Sequence, residues 1–283
     1  MMLCANKSQY TQVLVCRTLV IVLLWMLPRL ISAQPYFIKL YAGSVYYHGD
    51  LTEHLLSSPG NFAYGLSLGK EVNPYMALSV SYLGGTLSGE DNKAISYLRK
   101  QRNLSFRSPL AELSIKSEFN INELFWKRLN KYNVDLILSF GVAGYKFNPM
   151  TFYQDNWIEL QPVGTEGQKM MAYQDNKYSL YQWCIPFGFA VEMDFLSTIR
   201  MGIECSPRLT FTDYIDDVSS IYIHRDEFLQ TGNVLGASLN NRQGEWQDHL
   251  VEIPTGTPRG NNKKRDWYTF MTFYLKYSFE KIK

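Results

Sequence analysis

Cysteine is scarce in this chain, four in 283 residues, so it has no disulfide framework of the kind that staples small secreted domains. Histidine is equally rare, and the formal net charge is only +2, with no block of like charge to suggest a nucleic-acid surface. There is no Walker motif, no dinucleotide fingerprint and no zinc-ligand spacing. Repeats and Pro-rich linkers are missing too, which leaves one domain. Past residue 33 no run of 18 apolar residues remains, so membrane residence there would require a closed barrel.

Aromatic residues are abundant, at 15% with 20 Tyr and 16 Phe, which favours β structure or a membrane interface. The first 33 residues read as a cleaved secretory signal: Lys7 and Arg17 precede the apolar run 18–27, and Ile31-Ser32-Ala33 ends on a small residue. Ten apolar residues are too few to span roughly 30 Å of hydrocarbon as a helix. With Lys7, Arg17 and Arg29 removed, the formal balance passes from +2 to −1 over the expected mature domain, 34–283. Cys4 and Cys16 leave as well, so Cys184 and Cys205 remain.

The stretch "DWYTFMTFYLKYSF" (266–279) alternates: Trp267, Met271, Phe273, Leu275, Tyr277 and Phe279 on one face, Thr272, Lys276 and Ser278 on the other. Transmembrane strands need about 9 to 11 such residues, apolar outward and polar or small inward. Seven more candidates are found, at 37–47, 62–71, 75–86, 107–119, 134–147, 178–193 and 199–211, the first of them alternating imperfectly. The predicted fold is therefore all-β: an eight-stranded antiparallel up-and-down transmembrane β-barrel. A secreted β-sandwich would share the alternation. The connections favour the barrel, because they sort into a long set (48–61, 87–106, 148–177, 212–265) and a shorter set (72–74, 120–133, 194–198). Long extracellular loops and short periplasmic turns are the habit of outer-membrane barrels.

This register sends Glu112, Lys116, Glu118, Asp135, Glu192, Arg200, Glu204, Arg208 and Lys276 into the lumen, with acids and bases mixed. An eight-stranded interior is only wide enough for side chains. Buried charges need partners, so a salt-bridge plug is expected rather than an ion path. Cys184 falls on the polar face and Cys205 on the apolar one, which predicts two free thiols.

No catalytic residue, cofactor or metal site is expected. His48, His54, His224 and His249 all fall in predicted loops, none beside a placed Ser nucleophile, and Asp213, Asp216 and Asp217 read as a turn held by side-chain acceptors rather than a calcium loop. The inner connection "NINELFWKRLNKYN" carries Phe125, Trp126, Lys127 and Arg128. This is either a partner-binding patch or an aromatic and basic girdle at headgroup level. "WIELQPVGTEGQ" (157–168) reads as an ordered external loop.

The runs "GVAGYKFNPMTFYQDNWIELQPVGTEGQ" (141–168), "YSLYQWCIPFG" (178–188), "TFTDYIDDVSS" (210–220) and "RGNNKKRDWY" (259–268) resemble a Bacteroidetes family of small outer-membrane barrels that includes PorG, a component of the type IX secretion system. The resemblance implies a barrel held in outer-membrane lipid and attached to a periplasmic ring of PorK and PorN, with no catalytic residue. It also implies that Tyr145, Asn148, Pro149, Gly164, Thr165, Glu166, Gly167, Asp213, Asp216 and Asp217 are fixed loop architecture. The competing expectation is a small barrel whose outer loops bind a surface ligand.

Overall fold

Alternating segments satisfy their backbone by pairing sideways, and here the pairing goes full circle. The computed structural model describes residues 35–53, 60–125 and 134–279. The expected signal segment lies outside them. In chain order the strands are β1 (Tyr36–His48), β2 (Asn61–Asn73), β3 (Met76–Glu90), β4 (Ser105–Asn120), β5 (Val134–Phe147), β6 (Met150–Tyr153), β7 (Asn156–Glu159), β8 (Tyr181–Leu196), β9 (Ile199–Thr210) and β10 (Trp267–Ser278). Eight of them, all but β6 and β7, form a closed antiparallel barrel. The seam is the pairing of β1 with β10, from Phe37 opposite Ser278 to His48 opposite Trp267. Closure leaves no unpaired barrel edge.

The strand positions follow the alternation closely, with three differences. β3 continues past Thr86 to Glu90, because Leu87 to Glu90 find partners in Ser105 to Ser108. β8 starts at Tyr181 and runs to Leu196, three residues later at both ends than the pattern predicts. The β6–β7 hairpin is unexpected. Its turn residues Gln154 and Asp155 both have left-handed φ (47° and 64°), the two-residue hairpin geometry usually signalled by Asn-Gly or Asp-Gly. Gln-Asp hides that signal.

Two inter-strand turns shrink to two residues each, Pro74-Tyr75 and Ser197-Thr198, and lie at the same end of the barrel as the 121–133 connection. The other end carries 49–60, 91–104, 148–180 and 211–266.

Outward positions are apolar and uncovered: Leu66 and Leu68 on β2, Leu113 and Ile115 on β4, Phe140 and Val142 on β5, Ile203 on β9 and Leu275 on β10 are all exposed. Ile115 is 65% exposed and Ile203 67%. Inward positions are buried. On β10 the inner face is more aromatic than its sequence suggests, since Tyr268, Phe270 and Tyr274 join Thr272, Lys276 and Ser278 inside. Cys184 is buried within the barrel and Cys205 faces outward, so neither is bonded to the other.

Close approach at the seam fixes one residue type. A Cβ on Gly43 would run into the backbone of Met271 and Thr272 on β10. We expect Gly43→Val to prevent closure and Gly43→Ala to weaken it; loss of the heat-modifiable folded band in gel electrophoresis of the refolded protein is the measurement.

Candidate functional site

The lumen is a stack of paired charges. Arg200, Glu204 and Arg208 climb β9 at intervals of four residues, roughly 13 Å per step at the strand rise, and each meets a different partner. Near the long-connection end, Arg208 is fully buried and grips Glu112 with two nitrogens, at 2.9 and 2.8 Å. Tyr268 donates to the same carboxylate at 2.8 Å. The guanidinium also donates to the Ser206 carbonyl and hydroxyl, both at 2.5 Å, and lies 4.7 Å from the Phe270 ring centroid.

Midway down, Lys39 pairs with Glu118 at 2.5 Å, Ser79 donates to Glu118 at 2.8 Å, and Lys116 reaches Glu204 at 3.5 Å. At the short-turn end Arg200 contacts Asp135 (2.9 Å), Glu192 (3.2 Å) and Asp194 (2.7 Å). Lys276 contacts Glu71 at 3.0 Å and Glu192 at 3.8 Å, while Tyr274 donates to Glu192 at 2.9 Å. All nine charges assigned inward by alternation are therefore on lumen positions. Glu71, on the polar face of its strand by the same alternation, joins them, and Lys39 is an additional member on the strand whose alternation is least regular.

The long-connection end is covered by a second network. The short helix Leu160–Val163 stops at Gly164, whose left-handed φ of 71° lets its N–H reach the Leu160 carbonyl. Gly167, at φ 74°, completes the turn. Between them Glu166 is buried. It accepts from the backbone N–H groups of Ser219 (2.9 Å) and Ser220 (3.0 Å) and from the Ser220 hydroxyl (2.6 Å), and pairs with Arg259 at 2.8 Å. Arg259 also donates to the carbonyls of Asn240 (3.1 Å) and Asp217 (2.6 Å). The Asp217 carboxylate accepts from Thr165 and, at 2.7 Å, from Tyr178.

One layer lower, the Tyr47 hydroxyl of β1 sits between Asp216 and Asp266. Asp216 accepts from Val218 N–H and Asp266 from Ile215 N–H, each at 2.9 Å. Asn148 donates to Glu159 at 3.0 Å, the Pro149 carbonyl accepts from Leu160 N–H at 2.8 Å, and Tyr145 packs edge-on against Tyr268 with ring centroids 5.5 Å apart. Thr165, Glu166, Asp216 and Asp217 thus lie in one knot with Asn148, Pro149, Gly164 and Gly167 beside it, whereas Tyr145 stands on β5 inside the barrel and the Asp213 carboxylate accepts no backbone N–H. Arg259 and Asp266 are central members of the knot that residue-by-residue reading passed over, although both fall inside the "RGNNKKRDWY" run. Among the described residues no group of three or more His, Cys, Asp or Glu is arranged to hold a metal ion.

Burial raises four aspartates of this cap. Asp217 rises to about 6, with Arg259 opposing the rise; Asp213 rises to about 7. Asp216 and Asp266 are driven well above the usual range by burial and by neighbouring carboxylates, Asp50 among them.

The inner connection begins with the helix Ile121–Phe125, whose start is held by the Asn120 side chain accepting from Asn122 N–H at 3.0 Å. Trp126, Lys127 and Arg128 lie outside the described residues, as does the side chain of Phe125.

A family model described as a domain of unknown function, DUF6089, matches residues 16–238. No curated protein matches. Among solved structures the chain is similar to Neisserial surface protein A (9% identity, 86% of this chain and 97% of that chain, TM-score 0.42). It is also similar to a major outer membrane protein from Thermus thermophilus (11%, 88% and 100%, 0.42) and to Ail of Yersinia pestis (8%, 88% and 100%, 0.41).

Two outcomes follow from these networks. Removing one partner of a buried ion pair costs about 3–5 kcal/mol, whereas replacing both costs far less. Arg208→Met is therefore expected to destabilise the barrel strongly and Glu112→Gln/Arg208→Met to recover most of the loss, measured by denaturant unfolding in vesicles. In the cap, a carboxyl with a raised folded-state pKa favours the folded form fully below its unfolded value of about 3.9 and loses that contribution as pH rises through the folded value. Segment 213–220 should show roughly tenfold greater hydrogen-exchange protection at pH 5 than at pH 8 after correction for intrinsic rates, and Asp213→Asn should flatten the upper part of that profile.

Proposed function

This chain belongs to the DUF6089 family, a family of unknown function, and we propose that it is a non-enzymatic outer-membrane barrel whose work is anchorage. The observation that carries this reading is a closed ring with an uncovered apolar exterior and an interior filled by paired charges. In water so large an apolar surface would aggregate. In a bilayer the same surface is solvated, and closure satisfies every strand edge. A plugged lumen argues against solute passage, so the useful surfaces are the two ends.

The sequence resemblance to the barrel family that includes PorG directs the short-turn end to a periplasmic ring of the PorK and PorN type in a type IX secretion machine. The 121–133 connection suits docking because the other two turns at that end hold two residues each. Phe125, Trp126, Lys127 and Arg128 are the residues we assign to it. A surface-ligand role is favoured by a separate observation: the long-connection end is folded into a hydrogen-bonded cap with apolar clusters of its own, including Met170, Ile223, Phe228 and Ala237.

Alanine replacement of residues 125–128 should leave barrel assembly intact, abolish copurification with the ring proteins from mild-detergent extracts and block cargo secretion. Unchanged copurification rejects that site. Trimming 225–250 separates the two roles, since an anchor would still support secretion while a surface receptor would lose its ligand. Recovery of the full-length mature protein from the soluble fraction without detergent would defeat both.

A further inference from the structure

The barrel wall is indented at one place near the long-connection end. A groove of about 990 Å³ opens on its outer surface across β2, β3, β4 and β5. Its floor is made by small outward side chains, Thr86 on β3 and Pro109 and Ala111 on β4. Closer to the short-turn end the same strands carry bulk outward, as Val80, Leu113 and Ile115. Phe62, Tyr64 and Tyr82 form one edge, and Trp157 of the β6–β7 hairpin stands on the other.

Cations border this aromatic cleft. Arg107 lies 5.5 Å from the Trp157 ring centroid, and Lys146 lies 5.3 Å from that of Tyr181. Both are exposed, and among the described residues neither is within ion-pair distance of a carboxylate. Lys93 also lines the groove, paired with Glu90 at 3.1 Å. The lining therefore holds three cations and one acid.

We propose that this groove seats a phosphorylated lipid of the outer leaflet, with one phosphate at Arg107, another at Lys146, and an acyl chain along the Thr86, Pro109 and Ala111 floor. The inference rests on the membrane reading above. Its position fits: the groove begins where the aliphatic belt ends and aromatic residues take over, the depth of lipid headgroups. Arg offers a planar fork that matches phosphate oxygens, and Lys adds a point charge. The β6–β7 hairpin then acts as more than a connection, since it raises the wall that carries Trp157.

The test uses the full mature chain in phosphatidylcholine nanodiscs doped with either bis-phosphorylated lipid A or the same lipid enzymatically dephosphorylated. Lipid retained after transfer to mild detergent is read by native mass spectrometry. The wild type should retain the phosphorylated form preferentially, and Arg107→Glu/Lys146→Glu should reduce that retention at least about tenfold. Ala111→Phe, which fills the floor and leaves the charges in place, should reduce it too. This second variant decides the matter if the charge reversal fails to insert. Equal retention of the two lipids, as a groove built for a protein partner would give, overturns the proposal, and so does retention unchanged in the variants. Wild-type protein that enters no bilayer overturns the membrane reading along with it.

Discussion

Everything in this molecule depends on the hydrogen-bonded seam between β1 and β10, because without it the sheet would present two edges of unpaired backbone N–H and C=O groups. Each unpaired N–H or C=O kept from water costs several kcal/mol, and closure removes that cost along the whole length of both strands. Closure brings the first and last strands together across the whole chain. It also sets the radius, and the radius sets the chemistry inside. Eight strands leave room for side chains and little else.

That narrow interior explains the charge arrangement. Lys39, Glu112, Lys116, Glu118, Glu192, Glu204 and Arg208 cannot be solvated where they stand, so each has an opposite partner or a hydroxyl donor. Tyrosines serve twice: Tyr268 and Tyr274 fill volume with their rings and satisfy carboxylates with their hydroxyls. The outcome is a rigid plug whose registry ties β4, β9 and β10 together through the barrel centre.

The cap applies the same rule to connections. A long loop would ordinarily be solvated, yet Glu166, Asp216, Asp217 and Arg259 are buried and hydrogen-bonded across segments distant in sequence. Order at one end, and two two-residue turns beside a single longer connection at the other, give the barrel two different faces. The outer wall adds a third surface, where small residues on β3 and β4 interrupt the belt and basic residues gather above it.

Most of the barrel was legible in the chain because period-two alternation is local: once Leu113 and Ile115 alternate with Glu112, Ser114 and Lys116, face and register follow together. The inward charges were legible for that reason, as were the opposite faces of Cys184 and Cys205. Lys39 was not, since an irregular strand carries no phase. The hairpin at 150–159 was hidden by a Gln-Asp turn, and the partnership of Glu166 with Arg259 by a sequence separation of 93. What the amino-acid order determined by itself was which residues face out and which face in. Tertiary structure alone decided who meets whom inside the ring, how the loops knot and where the wall is hollow, because those contacts arise only when closure brings remote segments within hydrogen-bonding distance.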